Sequence, residues 1–248
     1  MNVTVNRDGI RLRGILDKPD LEKCPIAILF HGFSGDLGYQ EDDLFPIIST
    51  QLMKQGVSSI RFDFSGHGKS DGKFEEMDVL KEIEDAISIL SFVRSLDFVT
   101  DIYIVGHSQG GVVGGMLAGY YAEIISRLVL LAPAATLKED AKAGICMGTH
   151  YDTHHIPDVI SIGDQDLQVG GQYFRIAKYL PIYEVTKEFK GPTLVIHGKK
   201  DSVVSINAAI GYQNALESCD VALLEDLDHA IEGMDQKNAI DKILRFLE

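Results

Sequence analysis

Ile102-Tyr103-Ile104-Val105-Gly106-His107-Ser108-Gln109-Gly110-Gly111-Val112-Val113 runs from four apolar residues, through a serine framed by glycines, into a stretch of small apolar residues. The string reads as strand, sharp turn, then helix. Glycines at 106 and 110 let the backbone turn tightly and approach its neighbours without a Cβ clash. Ser108 then stands at the carboxyl end of a strand and the amino end of a helix, where unpaired N–H groups can stabilise an oxyanion. That is the setting in which a Gly-x-Ser-x-Gly turn presents a nucleophile.

Working outward, apolar runs of strand length recur at residues 3–5, 10–16, 26–30, 57–62, 128–131, 193–196 and 221–224. Several are near-continuous Ile, Leu and Val, as expected of parallel strands covered on both faces. Helical patterns lie between them. Over residues 77–96, Leu80, Ile83, Ile87, Leu90 and Val93 fall at spacings of three and four, which assigns Glu82, Glu84 and Asp85 to solvent. Ile240, Ile243, Leu244 and Leu247 repeat the pattern at the end of the chain. Alternation of this kind predicts an α/β fold built on a mostly parallel, doubly wound sheet. The first two strands, joined near Arg7-Asp8-Gly9, read as an antiparallel hairpin. From about residue 135 to 184 the alternation stops, and the segment predicts an inserted cap within a single domain spanning 1–248.

Composition narrows the function. At 248 residues with 45% apolar and 24% charged side chains, the chain can bury a large core. A formal net charge of −14 argues against nucleic acid or an anionic membrane as partner. Cys24, Cys146 and Cys219 are odd in number and widely spaced, which fits reduced thiols rather than a disulfide framework. Residues 1–13 show no hydrophobic signal segment, so a cytoplasmic location is expected.

A serine hydroxyl is a poor nucleophile until a base accepts its proton and a carboxylate orients that base. In this fold the partners follow in the order serine, acid, histidine. Beyond residue 184 only His197 and His229 remain, and His197 has no strand between it and the cap to carry an acid. His229 follows the run at 221–224. The acid should follow the preceding strand, which places it at Asp201. Asp228 is the rival, but neighbours on one loop rarely aim their side chains at each other. The predicted triad is therefore Ser108, Asp201 and His229. The oxyanion donors fall to the N–H of Gln109, after the nucleophile, and of Phe33 in His31-Gly32-Phe33-Ser34-Gly35. His31 and His107 are read as structural, fixing loops.

Two other motifs have competing readings. Gly68-Lys69-Ser70 matches the tail of a phosphate-binding loop, but the frame puts Asp63 where glycine is required, so the segment reads as a turn. His150, His154 and His155 sit at metal-ligand spacing on a helix, yet Pro157 argues against a long helix there. The reading calls for no cofactor and no metal.

The chain resembles the α/β-hydrolase superfamily over its whole length, and more closely the small bacterial cinnamoyl (feruloyl) esterases. The matching stretches are His31-Gly32-Phe33, the run from Gly66 to Phe74, Asp101-Ile102-Tyr103 and Gly106-His107-Ser108-Gln109-Gly110-Gly111. Ile156-Pro157-Asp158 and Tyr173-Phe174-Arg175-Ile176-Ala177 add the more specific part. The resemblance implies hydrolysis of hydroxycinnamate esters by that triad, with the cap forming the acyl pocket. It also implies that Asp140 and Tyr173 meet the phenolic hydroxyl; helix capping by Asp140 and simple packing by Tyr173 stay open. Relatives can place a glutamine where this chain has Met147, and a thioether cannot donate a hydrogen bond. The expected partner is a small aromatic ester, with no nucleic acid and no membrane; a homodimer is left open. A monoacylglycerol-type lipase or serine peptidase of the same fold is the alternative, and a non-catalytic binding module is a third reading.

Overall fold

The computed structural model describes residues 1–163 and 167–248. The chain opens with strands β1 (Asn2–Arg7), β2 (Ile10–Asp17) and β3 (Cys24–Phe30), helix α1 (Leu44–Lys54) and strand β4 (Ser58–Phe62). Helix α2 (Val79–Arg94), strand β5 (Val99–His107), helix α3 (Gln109–Tyr120) and strand β6 (Ile125–Leu131) follow. Next come helix α4 (Leu137–Ala143), the short strands β7 (Ile145–Cys146), β8 (Thr149–His150), β9 (Val159–Ile162) and β10 (Leu167–Gly170), and helices α5 (Gly171–Ala177) and α6 (Ile182–Thr186). Strand β11 (Thr193–Gly198), helix α7 (Asn207–Ala215), strand β12 (Cys219–Leu224) and helix α8 (Gln236–Leu247) complete it.

Eight strands form one sheet in the order β1-β2-β4-β3-β5-β6-β11-β12. Within it, pairing is antiparallel where β2 meets β1 and β4, and the other five contacts are parallel. The expected hairpin is present. Its two-residue turn, Asp8-Gly9, has φ of 50° and 89°. That left-handed pair matches the twist of the flanking strands.

Strand residues alternate between two cores, as a pleat covered on both faces requires. Ile26, Ile28 and Phe30 of β3 point to the larger core, with Val112, Met116 and Tyr212 from α3 and α7. Ala27 and Leu29 point to the smaller core, with Ile48 and Leu52 of α1 and Ile243 and Leu247 of α8. The mostly parallel, doubly wound α/β architecture is thus the one the alternation of elements predicts.

One helix face departs from expectation. Leu80 is 44% exposed, whereas Glu82 and Asp85 are 1% and 0% exposed. The buried face of α2 is rotated because both carboxylates find partners inside. Asp85 accepts from Ser65 N–H at 2.7 Å and pairs with Arg7, and Glu82 accepts from Gln109 Nε2 at 2.8 Å. Hydrogen bonds of this kind outweigh the apolar periodicity. Glu84 does face solvent, on the rim of the Arg7 pair.

The glycine-rich stretch after β4 is a turn around a buried aspartate. Asp63 Oδ1 accepts from Leu37 N–H and Oδ2 from Lys69 N–H, each at 2.8 Å, and Tyr39 donates to Oδ2. Residues 150–155 are not helical: His154 and His155 are exposed beside Asp152, His155 Nδ1 3.1 Å from its carboxylate. Among the described residues no helix is long and apolar enough to cross a membrane.

Candidate active site

Between β5 and α3 the backbone turns at Ser108 with φ 53° and ψ −122°. Residues bearing a side chain rarely adopt that conformation. Neighbours hold it there. Ser108 N–H donates to Leu131 O at 2.9 Å, and Ser108 O accepts from Gly111 N–H at 3.0 Å and Ala134 N–H at 2.9 Å. The glycines are required by contact: a Cβ on Gly106 would lie 2.3 Å from Gly110 O, and one on Gly110 2.2 Å from Phe30 O.

Three distant side chains converge on this turn. His229 Nε2 lies 3.0 Å from Ser108 Oγ, and His229 Nδ1 lies 2.8 Å from Asp201 Oδ2. Asp201 stands in the loop after β11 and His229 in the loop after β12, so adjacent strand ends deliver both. Asp201 Oδ1 also accepts from the N–H groups of Val203 and Val204, each at 2.8 Å. Burial raises the pKa of Asp201, but hydrogen bonds from His197, His229 and Val204 outweigh it and hold the carboxyl below its ordinary value. The rival Asp228 instead accepts from Glu232 N–H at 2.8 Å.

His197 fits the triad order poorly, yet it belongs to this group. Fully buried in β11, its Nε2 lies 3.1 Å from Asp201 Oδ2 and 3.0 Å from Val204 O. The signal for it is the four-residue spacing to Asp201 across a tight turn, which periodicity alone does not weigh.

Two further histidines tie loops together. His31 Nδ1 donates to Gly32 O at 2.8 Å, and its Nε2 accepts from Phe64 N–H at 3.0 Å. One nitrogen donating and the other accepting defines a neutral ring. His107 Nε2 donates to His229 O at 2.7 Å. Burial, the largest cause in each, lowers their pKa values from 6.5 to about 3 and about 4.

Ser108 opens into a cavity of about 620 Å³, lined by Phe33, Gln109 and His229 together with Asp140, Cys146, Met147, Tyr173 and Phe174. Phe33 and Gln109, the expected oxyanion donors, thus share the cavity with the serine. A Cβ on Gly32 would lie 2.9 Å from Ser108 Cβ, which shows how close that backbone comes. Asp140 sits in the first turn of α4 rather than at its N-cap, and burial raises its pKa. Tyr173 donates to Gln109 Oε1 at 2.8 Å. Its proton is thereby committed, while its oxygen can still accept. Met147 occupies the β7–β8 turn with φ 45° and is 56% exposed at the cavity rim.

A strained serine at a strand–helix turn, linked through histidine to a buried aspartate on this sheet, defines the α/β-hydrolase class. Residues 23–156 match the model of the serine aminopeptidase S33 family, and the chain belongs to that family. It is therefore a hydrolase by family and fold. Est1E from Butyrivibrio proteoclasticus, solved with ferulic acid bound, is 31% identical and superposes with a TM-score of 0.93 over 99% of this chain and 97% of that one. The monoacylglycerol lipase ABHD6 of Homo sapiens is 22% identical over 90% of this chain and 75% of its own length. The mouse α/β-hydrolase domain-containing protein 10 shares the fold, with 23% identity and a TM-score of 0.78 over 98% of this chain and 96% of that one.

Proposed function

We propose that the chain hydrolyses carboxylic esters whose acyl group is an aromatic acid of the hydroxycinnamate type. The observation that carries this reading is the unbroken run from Ser108 Oγ through His229 to Asp201, opening on a cavity with an aromatic and partly polar wall. Ser108 attacks the ester carbonyl as His229 Nε2 takes its proton. Asp201 holds the imidazole and stabilises its charged form. The Phe33 and Gln109 N–H groups bind the oxyanion, and the protonated His229 then releases the alcohol. A water deprotonated by His229 attacks the acyl-enzyme and frees the acid.

Volume and chemistry support the acyl group. The cavity, about 620 Å³, offers Phe174 and Phe33 to an aromatic ring. A space of that size suits a small ligand, and ring-on-ring contact adds to simple burial. Asp140 and the accepting oxygen of Tyr173 suit a phenolic O–H. The monoacylglycerol lipase relatives favour a second reading, hydrolysis of aliphatic esters. Against it, an alkyl chain would desolvate Asp140 and offer its carboxyl no hydrogen bond beyond the one from Thr136. The three free cysteines fit a reducing compartment, the cytoplasm.

Initial rates on methyl ferulate, a medium-chain triglyceride and an aminoacyl anilide test the assignment. Methyl ferulate is expected to lead in kcat/KM by about tenfold or more, the scale of one well-placed contact. Asp140→Asn should raise KM for methyl ferulate more than for methyl cinnamate. A preference for the triglyceride or the anilide overturns the reading.

A further inference from the structure

Glu82 carries a carboxyl group that is 1% exposed and takes no part in the chain from Ser108 to Asp201. Its Oε2 accepts from Gln109 Nε2 at 2.8 Å, and Gln109 Oε1 accepts from Tyr173 Oη–H at 2.8 Å. Gln109 Nε2 also lies 3.6 Å from Met77 Sδ. The other carboxyl oxygen, Oε1, is buried without a hydrogen-bond partner among the described residues and lies 4.0 Å from His67 Nε2. That same His67 nitrogen donates to Phe33 O at 2.7 Å. One carboxyl group thus stands between the anchors of Phe33 and Gln109, the two cavity residues whose N–H groups are the proposed oxyanion donors.

We infer that Glu82 is a positioning residue for the oxyanion hole, fixing Gln109 directly and facing the histidine that holds Phe33. The inference rests on the proposed role of Ser108. It explains why a helix face that could carry an apolar residue carries an acid, at the desolvation cost such burial brings. Burial raises its pKa well above the ordinary carboxylate value, as expected of a group kept for its hydrogen bond. Donors to a developing oxyanion act only when held within a fraction of an ångström of their working position. Among the described residues, Glu82 and Tyr173 hold the two amide atoms of the Gln109 side chain. Glu82 touches neither substrate nor reacting atoms, so its effect is on turnover rather than on binding.

The test compares wild type, Glu82→Met and Glu82→Gln in the full chain, with p-nitrophenyl acetate as substrate. Competent sites are counted by fluorophosphonate labelling, and rates are expressed per labelled site. Glu82→Met is expected to lower kcat about 10- to 100-fold with KM within about threefold, less than the loss of a whole donor. Glu82→Gln keeps an acceptor for Gln109 Nε2 and should restore most of that rate. If Glu82→Met does not fold, Glu82→Asp, one methylene shorter, withdraws the carboxyl from Gln109 and should show the same kcat deficit. Rates per labelled site within about twofold of wild type, or a loss carried by KM or by the number of labelled sites alone, overturn the inference. Wild type that neither hydrolyses the ester nor takes the label would instead reject the serine mechanism beneath it.

Discussion

His107 donates a 2.7 Å hydrogen bond from Nε2 to the carbonyl oxygen of His229, joining the residue before the nucleophile to the backbone of the residue that would serve as its base. The end of β5 and the loop after β12 are thereby pinned to each other across the β6 and β11 ends. A neutral, half-buried ring is well suited to the task, because it donates without bringing a charge beside Asp201.

That burial makes stability depend on pH. Unfolded, His31 and His107 would take up protons near 6.5; folded, they resist to about 3 and about 4. Over this window the unfolded chain binds more protons, so stability is fully present above 6.5 and is lost as pH falls toward 4. At about 1.4 kcal/mol per unit, His107 accounts for roughly 3 kcal/mol at most. Glu82 and Asp85, raised by burial, act in the opposite sense, and they cancel in a comparison of variants. Urea unfolding of wild type and His107→Gln at pH 7 and pH 5 should show a smaller loss in the variant, by about 2 kcal/mol. Equal losses would contradict this.

Ser108→Ala should lower kcat on p-nitrophenyl acetate by about 10⁵- to 10⁶-fold and abolish fluorophosphonate labelling, the scale for losing such a nucleophile. Near-normal turnover by this variant would assign the chemistry elsewhere.

His197→Leu removes a buried donor from Asp201 while conserving bulk. The carboxylate keeps the N–H groups of Val203 and Val204 but is less firmly aimed at His229. We expect kcat to fall about tenfold with KM little changed, since part of a hydrogen-bonded network is lost rather than a reacting group. Circular dichroism controls for folding, and an unchanged kcat would show that Asp201 needs no second histidine.

Gly110→Ala probes packing rather than chemistry. The new Cβ would lie 2.2 Å from Phe30 O and 2.3 Å from His31 O, both backbone atoms with little freedom to retreat. A loss of about 3 kcal/mol or more is expected in urea unfolding, from strain of the kind that places large values among point mutants. A stability within about 0.5 kcal/mol of wild type would mean that the turn can open.

Ser108, Asp201 and His229 could be read from the chain because their order along it mirrors the order of strand ends in this fold. Phe33 and Gln109, the proposed oxyanion donors, reach the cavity by the same logic, since loops at strand ends are set by topology. Glu82, Asp85 and His197 could not be read in this way. Periodicity places a carboxylate on the wet side of a helix, and only a partner brought from elsewhere, Gln109 or Arg7, reverses that. His197 looks like a strand residue that happens to be polar until the turn after β11 folds Asp201 back upon it.

One excursion between β6 and β11 contributes Asp140, Cys146, Met147, Tyr173 and Phe174 to the cavity lining. Ser108, Asp201 and His229 come from loops outside that excursion. The proposed selectivity and the proposed chemistry are therefore written in separate paragraphs of the chain. Natural variation or directed evolution can rewrite one of them while the other remains intact, and Tyr173, bonded to Gln109, marks the place where the two texts touch.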